Sequence, residues 1–216
     1  MRCVYVVDVH DRVDAVVDAV AEVGDVDLLL VGGDITTAGS VEQVDDALDE
    51  WLARVPRVLA VAGNMDSPAI DALLAERGVS LDGRGETIDG VGIFGVSAAP
   101  FTPFRTPYEV PDEELIARAA PGAAAVRGAR VRIFCPHAPP VDTVCDRLQD
   151  GRHVGSAAIR DVVEREQPEL VLCGHIHEGR GEDTIGTSRI VNPGPAAGGH
   201  YAVVEIDGAA PTVRLD

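Results

Sequence analysis

Lysine is absent from this chain of 216 residues, and all 18 of its basic residues are arginine. They are outnumbered by 36 acidic residues, which gives a formal net charge of −18 at pH 7. Such an acidic surface argues against extended nucleic-acid binding, which relies on lysine and arginine to neutralise phosphates. The acidic residues are spread along helix-like segments rather than gathered in a tail, so we interpret them as solvated faces of a folded protein.

The excess of negative charge also predicts a salt-rich environment. Like charges repel one another and destabilise a compact state at low salt. In molar salt the Debye length falls to ~3 Å, so most of that repulsion is screened. The composition is similar to that of halophiles that accumulate salt, and we therefore expect the cytoplasm of a halophilic archaeon.

Long apolar segments and paired cysteines are missing as well. No apolar run approaches the ~20 residues of a membrane span, and Met1 leads almost directly into the strand-like run 3–7. We therefore expect neither a membrane segment nor a signal peptide. The four cysteines form no Cys-x-x-Cys pair, and three lie in apolar runs, so they are predicted to be buried and reduced.

Strand-like and helix-like segments alternate along the first third of the chain. Each of the apolar runs 3–7, 27–31 and 57–62 precedes a segment with helical periodicity or a helix-start signal. Three such units predict a parallel sheet with right-handed crossovers, and 46% hydrophobic residues suffice for one α/β domain over residues 1–216. The later segments are predicted as a hairpin (87–96), a helix broken at Pro121-Gly122 (112–126), a strand (130–135), a helix (156–167) and tail strands (189–191, 201–206, 212–215).

Residues 97–111 form a proline-rich stretch with several aromatic residues and no regular period. A loop of this length is often functional, so we interpret it as a candidate lid or substrate wall. A plain surface connection would have the same sequence, and both interpretations stay open.

Polar side chains follow five of the predicted strands. In open α/β sheets, ligands bind beyond the carboxyl ends of the strands, so these side chains should meet at one edge. Alternate residues of an extended chain point the same way, and imidazole is the commonest metal ligand. Each cluster alone could be a turn or a helix cap, but five in series predict a metal site. The residues are Asp8, His10, Asp34, Asn64, His137, His175 and His177.

The ordered series Asp-x-His, Gly-Asp, Gly-Asn-x-Asp, His and Gly-His-x-His resembles the calcineurin-like metallophosphoesterases. The resemblance runs from Asp8 to His177 and continues in the turn Asn192-Pro193-Gly194. It implies a four-layer αββα sandwich, in which two sheets are flanked by helices, and a two-metal site. It further implies one ion at Asp8, His10 and His177, another at Asn64, His137 and His175, and Asp34 between them.

These mixed carboxylate, amide and imidazole donors suit borderline divalent ions better than magnesium or calcium. We expect two such ions, with manganese favoured and iron, nickel or zinc as alternatives. Two ions ~3.5–4 Å apart can clamp the attacking and leaving oxygens of a displacement and acidify the water between them. The resemblance thus implies attack by a metal-bridging hydroxide on a phosphoester.

One position departs from the family pattern. Many relatives have histidine after the Gly-Asn pair, where it can protonate the leaving group, and this chain has Met65, which cannot. The pattern is similar to a small prokaryotic branch that acts mostly on phosphodiesters. We therefore expect hydrolysis of small phosphodiesters and poor turnover of unactivated alkyl monoesters.

Further roles are assigned to residues around the predicted ligands. Asp34, Asp66 and His153 are candidate catalytic residues, with Asp66 orienting a ligand and His153 replacing the missing acid. Asn64, Ser156 and Arg105 are candidate substrate-binding residues. Ser156 could hold a phosphate oxygen at a helix start, or act only as an N-cap, and Arg105 could equally be a surface charge.

Two other functions fit the same fold. A nuclease is disfavoured by the acidic surface, and a non-catalytic scaffold is disfavoured by seven intact candidate ligands, although Met65 gives it some support. Homo-oligomerisation stays open.

Overall fold

Eleven strands in two sheets and five helices make up the computed structural model, which describes residues 1–208 and 210–216. The strands are β1 (Arg2–Val6), β2 (Leu28–Val31), β3 (Val58–Ala60), β4 (Gly85–Ile88), β5 (Val91–Val96), β6 (Val131–Pro136), β7 (Leu170–Leu172), β8 (Gly181–Ile185), β9 (Ser188–Asn192), β10 (Ala202–Glu205) and β11 (Thr212–Leu215). The helices are α1 (Val13–Val23), α2 (Val41–Leu52), α3 (Pro68–Glu76), α4 (Asp112–Ala125) and α5 (Ala157–Glu166). Single 3₁₀ turns lie at Val144–Asp146, His177–Gly179 and Ala196–Gly198.

The first sheet has the strand order β11-β10-β1-β2-β3, and the second has the order β4-β5-β6-β7-β9-β8. Strands β1, β2 and β3 are parallel, as are β5, β6, β7 and β9, whereas the outer pairings are antiparallel. Parallel strands are expected to be buried on both faces, which agrees with their nearly continuous apolar sequences.

Side-chain alternation along β1 shows how the layers are arranged. Cys3 and Tyr5 pack into the core between the two sheets, whereas Val4 and Val6 pack into the core shared with helices. Helices α1, α2 and α3 contact the first sheet or one another, whereas α4 covers the second sheet and α5 packs against α4. The predicted sandwich of two sheets flanked by helices is therefore confirmed.

Local sequence signals explain several element boundaries. The predicted hairpin is confirmed as β4 and β5, and both turn residues, Asp89 and Gly90, have the positive φ that a tight two-residue turn requires. At the start of α2, the Ser40 hydroxyl accepts from the Gln43 amide at 3.3 Å, and the Gln43 side chain accepts from the Ser40 amide at 2.7 Å.

The predicted break at Pro121-Gly122 was wrong, because α4 continues through both residues to Ala125. Proline removes a backbone donor, but Pro121 is exposed and Gly122 lets the helix approach β4 closely. A Cβ on Gly122 would lie 2.5 Å from the Arg84 carbonyl oxygen, so the helix is held by packing that only glycine permits. Strand β8, whose sequence is largely polar, was not predicted.

In the described part of the chain, no helix has both the length and the apolar character needed to span a membrane.

Candidate metal centre

The seven candidate ligands lie in loops that follow β1, β2, β3, β6 and β7. Because these strands run parallel within their own sheets, their carboxyl ends bring the loops of each sheet together. The structure joins the loops of both sheets into two adjacent groups of side chains.

The first group consists of Asp8, His10 and His177, whose potential ligand atoms all lie within 4.8 Å of one another. The Nε2 atoms of His10 and His177 are 3.2 Å apart, and His177 Nε2 is 3.8 Å from Asp8 Oδ2. Thr37 Oγ1 lies 2.9 Å from His10 Nδ1, which fixes the orientation of the ring. Hydrogen bonding of the far nitrogen is the usual support for a metal-binding imidazole.

The second group contains Asp34, His137 and His175, again with potential ligand atoms within 4.8 Å of one another. Asn64 belongs to it as well, because its Oδ1 lies 2.9 Å from His137 Nε2 and 2.6 Å from His175 Nδ1. The structure thus brings together Asn64, His137 and His175, the three residues predicted at this ion, with Asp34 beside them.

Asp34 lies between the two groups. Its Oδ2 is 3.9 Å from His10 Nε2, and its Oδ1 is 3.5 Å from His137 Nε2. One carboxylate oxygen therefore faces each group, which is the arrangement that a bridging ligand requires.

Burial determines the charge states at this site. Desolvation lowers the pKa of His137 and of His175 to about 3, and it also lowers the pKa of His10 and of His177. All four imidazoles are therefore neutral at pH 7 and can offer a lone pair to a metal ion. Such neutral rings cannot balance the charge of a neighbouring carboxylate.

Desolvation also raises the pKa of Asp8 and of Asp34, which are almost fully buried. Among residues 1–208 and 210–216, no arginine lies within salt-bridge distance of either carboxylate. Ionised carboxylates in such a site lack a compensating positive charge, which a divalent cation would provide.

The hydrogen bonding of His137 also indicates that this site suits a cation. Its Nδ1 lies 2.8 Å from the Gly32 carbonyl oxygen, which can only accept, so Nδ1 carries the proton. The lone pair of Nε2 then faces Asn64 Oδ1 and Asp34 Oδ1. Three electron-rich atoms directed at one another repel unless a cation lies between them, so the donor set fits a metal ion.

Strained backbone accompanies these ligands. Positive φ is uncommon outside glycine, and such strain persists where the surrounding structure enforces it, often at functional sites. Four of the seven candidate ligands adopt it: Asp8, His10, Asp34 and His175.

Asp66 supports the ligands from behind. Its buried carboxylate accepts hydrogen bonds from the backbone amides of Ile35 (3.1 Å), Thr36 (2.9 Å) and Gly63 (2.8 Å). It therefore ties the loop of Asp34 to the loop of Asn64. Within the described residues Asp66 is absent from the cavity wall, which agrees with an orienting role rather than contact with substrate.

A cavity of about 1180 Å³ opens over the two groups, and its wall is predominantly apolar. Residues 100–107 form one side of this cavity, which is the position that the substrate-wall interpretation of residues 97–111 requires. Arg105 and Ser156 also line the cavity. Ser156 Oγ accepts from the Ile159 amide at 3.1 Å and so caps α5, the simpler of its two predicted roles.

His153 does not reach this cavity within the described structure. Its neighbours Arg152 and Val154 line the wall, but the His153 ring turns to the buried Asp146, with Nδ1 2.6 Å from Oδ1. The hydrogen bond to Asp146 raises the pKa of His153. The structure therefore does not bring His153 to the candidate ligands, because alternate residues of this segment point in opposite directions.

Comparison with known sequences agrees with this geometry. A family model described as the calcineurin-like phosphoesterase superfamily domain matches residues 1–209. The uncharacterized protein MJ1162 of Methanocaldococcus jannaschii is 33% identical over 199 residues, which cover 90% of this chain and 88% of that protein.

Two solved structures share the fold. A dimetal phosphatase from Danio rerio superposes with a TM-score of 0.65 at 13% identity and covers 99% of this chain and 98% of that one. A protein described as a novel archaeal phosphodiesterase superposes with a TM-score of 0.56 at 13% identity over all of both chains.

Proposed function

This chain belongs to the calcineurin-like phosphoesterase superfamily, and we propose that it is a metal-dependent phosphodiesterase acting on small phosphodiesters. The convergence of seven candidate ligands into two adjacent groups beneath one cavity is the observation that carries the proposal.

We assign one divalent ion to Asp8, His10 and His177, and a second ion to Asn64, His137 and His175. Asp34 would contact both, because its two oxygens face different groups. Manganese is the proposed ion, with iron, nickel and zinc as alternatives, since these donors suit borderline divalent metals. When bound, such ions supply Lewis acidity toward phosphoryl oxygens and make water a nucleophile near neutral pH.

Met65 disfavours unactivated alkyl monoesters as substrates. It lines the cavity beside Asn64, and its thioether cannot donate a proton to a leaving group. His153 is turned away, so neither residue protonates an alkoxide. Substrates with weakly basic leaving groups should therefore react best. The likeness in fold to an archaeal phosphodiesterase supports diesters as the substrates.

Arg105 and Asn64 are the proposed substrate contacts. Both line the cavity, and Asn64 Oδ1 lies among the ligand nitrogens. The guanidinium of Arg105 has no carboxylate within 4 Å among the described residues, so its charge is available to a phosphate.

The net charge of −18 supports a salt-rich cytoplasm as the proposed location.

The test is hydrolysis by the metal-stripped protein after addition of manganese, nickel, zinc or magnesium in molar salt. Bis-p-nitrophenyl phosphate and p-nitrophenyl phosphate are compared. Asp34→Ala and His175→Ala remove site residues, and Asp18→Ala and His200→Ala are matched controls outside both groups. We expect metal-dependent hydrolysis that favours the diester and is lost only in the two site variants.

Preference for the monoester would contradict the diester assignment. Two bound ions without hydrolysis of either ester would instead support the scaffold, the function that Met65 leaves open.

A further inference from the structure

The large apolar side chains that are exposed in the described structure concentrate at the cavity. Phe101 and Phe104 are 70% and 86% exposed, and Val154 is 37% exposed. All three line the cavity, and only Leu52 and Val144 of this exposed set do not. A group of exposed apolar side chains at one cleft is typical of a binding surface.

The loop that carries these phenylalanines is built to hold them in place. Glu109 Oε1 accepts from the Thr102 hydroxyl (2.5 Å), the Thr106 hydroxyl (2.7 Å) and the Thr106 amide (2.9 Å). The tip of the loop is therefore folded around one carboxylate. Phe101 and Phe104 are held outward by this arrangement.

Both ends of the loop are fixed to the body of the protein through Asp71. The Ser97 hydroxyl donates to Asp71 Oδ1 at 2.8 Å, and the Tyr108 hydroxyl donates to Oδ2 at 2.8 Å. Arg118 in α4 donates to the Tyr108 hydroxyl at 2.5 Å. The Tyr108 amide also donates to the carbonyl of Asn64, so the wall is attached directly to a candidate ligand.

The cavity is also larger than a phosphate group needs. Its volume of about 1180 Å³ is that of a pocket for a whole small molecule. Arg105 adds a positive charge beside the phenylalanines, in a chain whose acidic residues outnumber its basic residues 36 to 18. One wall therefore offers a cation and two aromatic faces next to the candidate metal ligands.

We propose that residues 97–111 determine substrate specificity, and that the substrate is a phosphodiester with a flat aromatic or heteroaromatic group. The flat group packs on Phe101 and Phe104, and the phosphate lies between Arg105 and the candidate ligands. This inference rests on the proposed phosphodiesterase function. The concave shape favours a small molecule over a second protein surface, because the occupant has to reach Asn64 and His175 at the base.

The test uses two diesters with the same p-nitrophenolate leaving group: methyl p-nitrophenyl phosphate and thymidine 5′-p-nitrophenyl phosphate. Because the leaving group is constant, the ratio of their kcat/KM values reports recognition of the other ester group. We expect the wild-type protein to prefer the nucleoside diester. The double variant Phe101→Ala/Phe104→Ala should reduce this preference by roughly 5- to 150-fold, the range expected for loss of base–aromatic stacking.

Leu52→Ala is the matched control, because Leu52 is an exposed apolar residue on α2 outside the cavity. A second readout does not depend on turnover: calorimetric binding of thymidine monophosphate and of inorganic phosphate to the manganese-loaded protein. The nucleotide should bind more tightly than phosphate to the wild type, and this advantage should shrink in the double variant only.

Absence of hydrolysis of either diester by the wild type would count against the proposed function, whatever the loop does. The specificity inference alone would be overturned if the wild type hydrolysed both diesters with equal kcat/KM and if the double variant bound the nucleotide and phosphate with wild-type affinities. A wild-type dimer that dissociates in the double variant would also overturn it, because the phenylalanines would then form a subunit interface.

Discussion

Gly63→Ala is the substitution whose effect on the candidate centre can be worked out most directly. A Cβ at this position would lie 2.1 Å from Asp34 Oδ1 and 2.2 Å from the Asp34 amide nitrogen. Non-bonded atoms pack at about 3.5–4.0 Å, so Asp34 would have to move by more than 1 Å. The amide nitrogen is backbone, and the carboxylate is held at 2.7 Å by the Met65 amide, so neither can yield easily.

We expect two separable consequences. The metal-free variant should be about 1–3 kcal/mol less stable, the usual cost of overpacking a well-packed site. Displacement of the Asp34 carboxylate, the proposed bridge between the two ions, should also weaken manganese binding by roughly 10- to 100-fold, as loss of supporting groups around metal ligands does. Urea unfolding of metal-free protein in molar salt measures the first effect, and calorimetric manganese titration measures the second.

Gly128→Ala provides the matched control. Its Cβ would meet no atom within 4 Å, and its φ is not positive, so the chain should keep or slightly gain stability. If Gly63→Ala unfolded at the same urea concentration as the wild type and bound manganese with wild-type affinity, the close contact derived between Asp34 and Gly63 would be refuted.

Three further predictions concern other parts of the molecule. The hydrogen bond to Asp146 raises the pKa of His153 above 6.5. The pair should therefore stabilise the fold fully below pH 6.5, and this stabilisation should be lost as the pH rises through the raised pKa. NMR titration should show the pKa of His153 returning toward 6.5 in Asp146→Asn. His177→Ala should lower the manganese stoichiometry from two ions toward one, measured by elemental analysis, whereas His200→Ala should retain two. Thermal unfolding between about 0.1 and 2 M KCl should show stability rising with salt, because the repulsion from a net charge of −18 is screened.

Each of these has an outcome that would contradict it. An unchanged His153 titration in Asp146→Asn would mean that the ion pair does not set its pKa. Two tightly bound ions in His177→Ala would remove this residue from the ligand set. A melting temperature independent of salt, or efficient refolding in dilute buffer, would count against the halophilic environment.

The positions of the candidate ligands could be predicted because they follow from two simple regularities. Apolar runs identify buried parallel strands, and polar residues directly after them must meet at the carboxyl edge of the sheets. His175 and His177 illustrate the limit of this reasoning, because their one-residue spacing suggests a shared centre. The structure places them in different groups, as the family resemblance implied, since the chain turns at His175 with positive φ.

Other features of the structure could not be predicted from the local sequence. The orientation of His153 depends on Asp146, seven residues earlier, and on the direction of one short extended segment. Thr37 supports His10 across a distance of 27 residues, and neither residue type nor spacing indicates this. Continuity of α4 through Pro121 depends on close tertiary packing at Gly122, which local propensity does not report.

Anomalous diffraction from manganese-loaded crystals would locate the metal ions in this site directly. We predict two manganese peaks separated by ~3.5–4 Å, one contacting Asp8, His10 and His177 and the other contacting Asn64, His137 and His175, with Asp34 between them. A single peak, peaks remote from these residues, or an Asp34 carboxylate in contact with neither ion would contradict the dinuclear centre on which the proposed function depends.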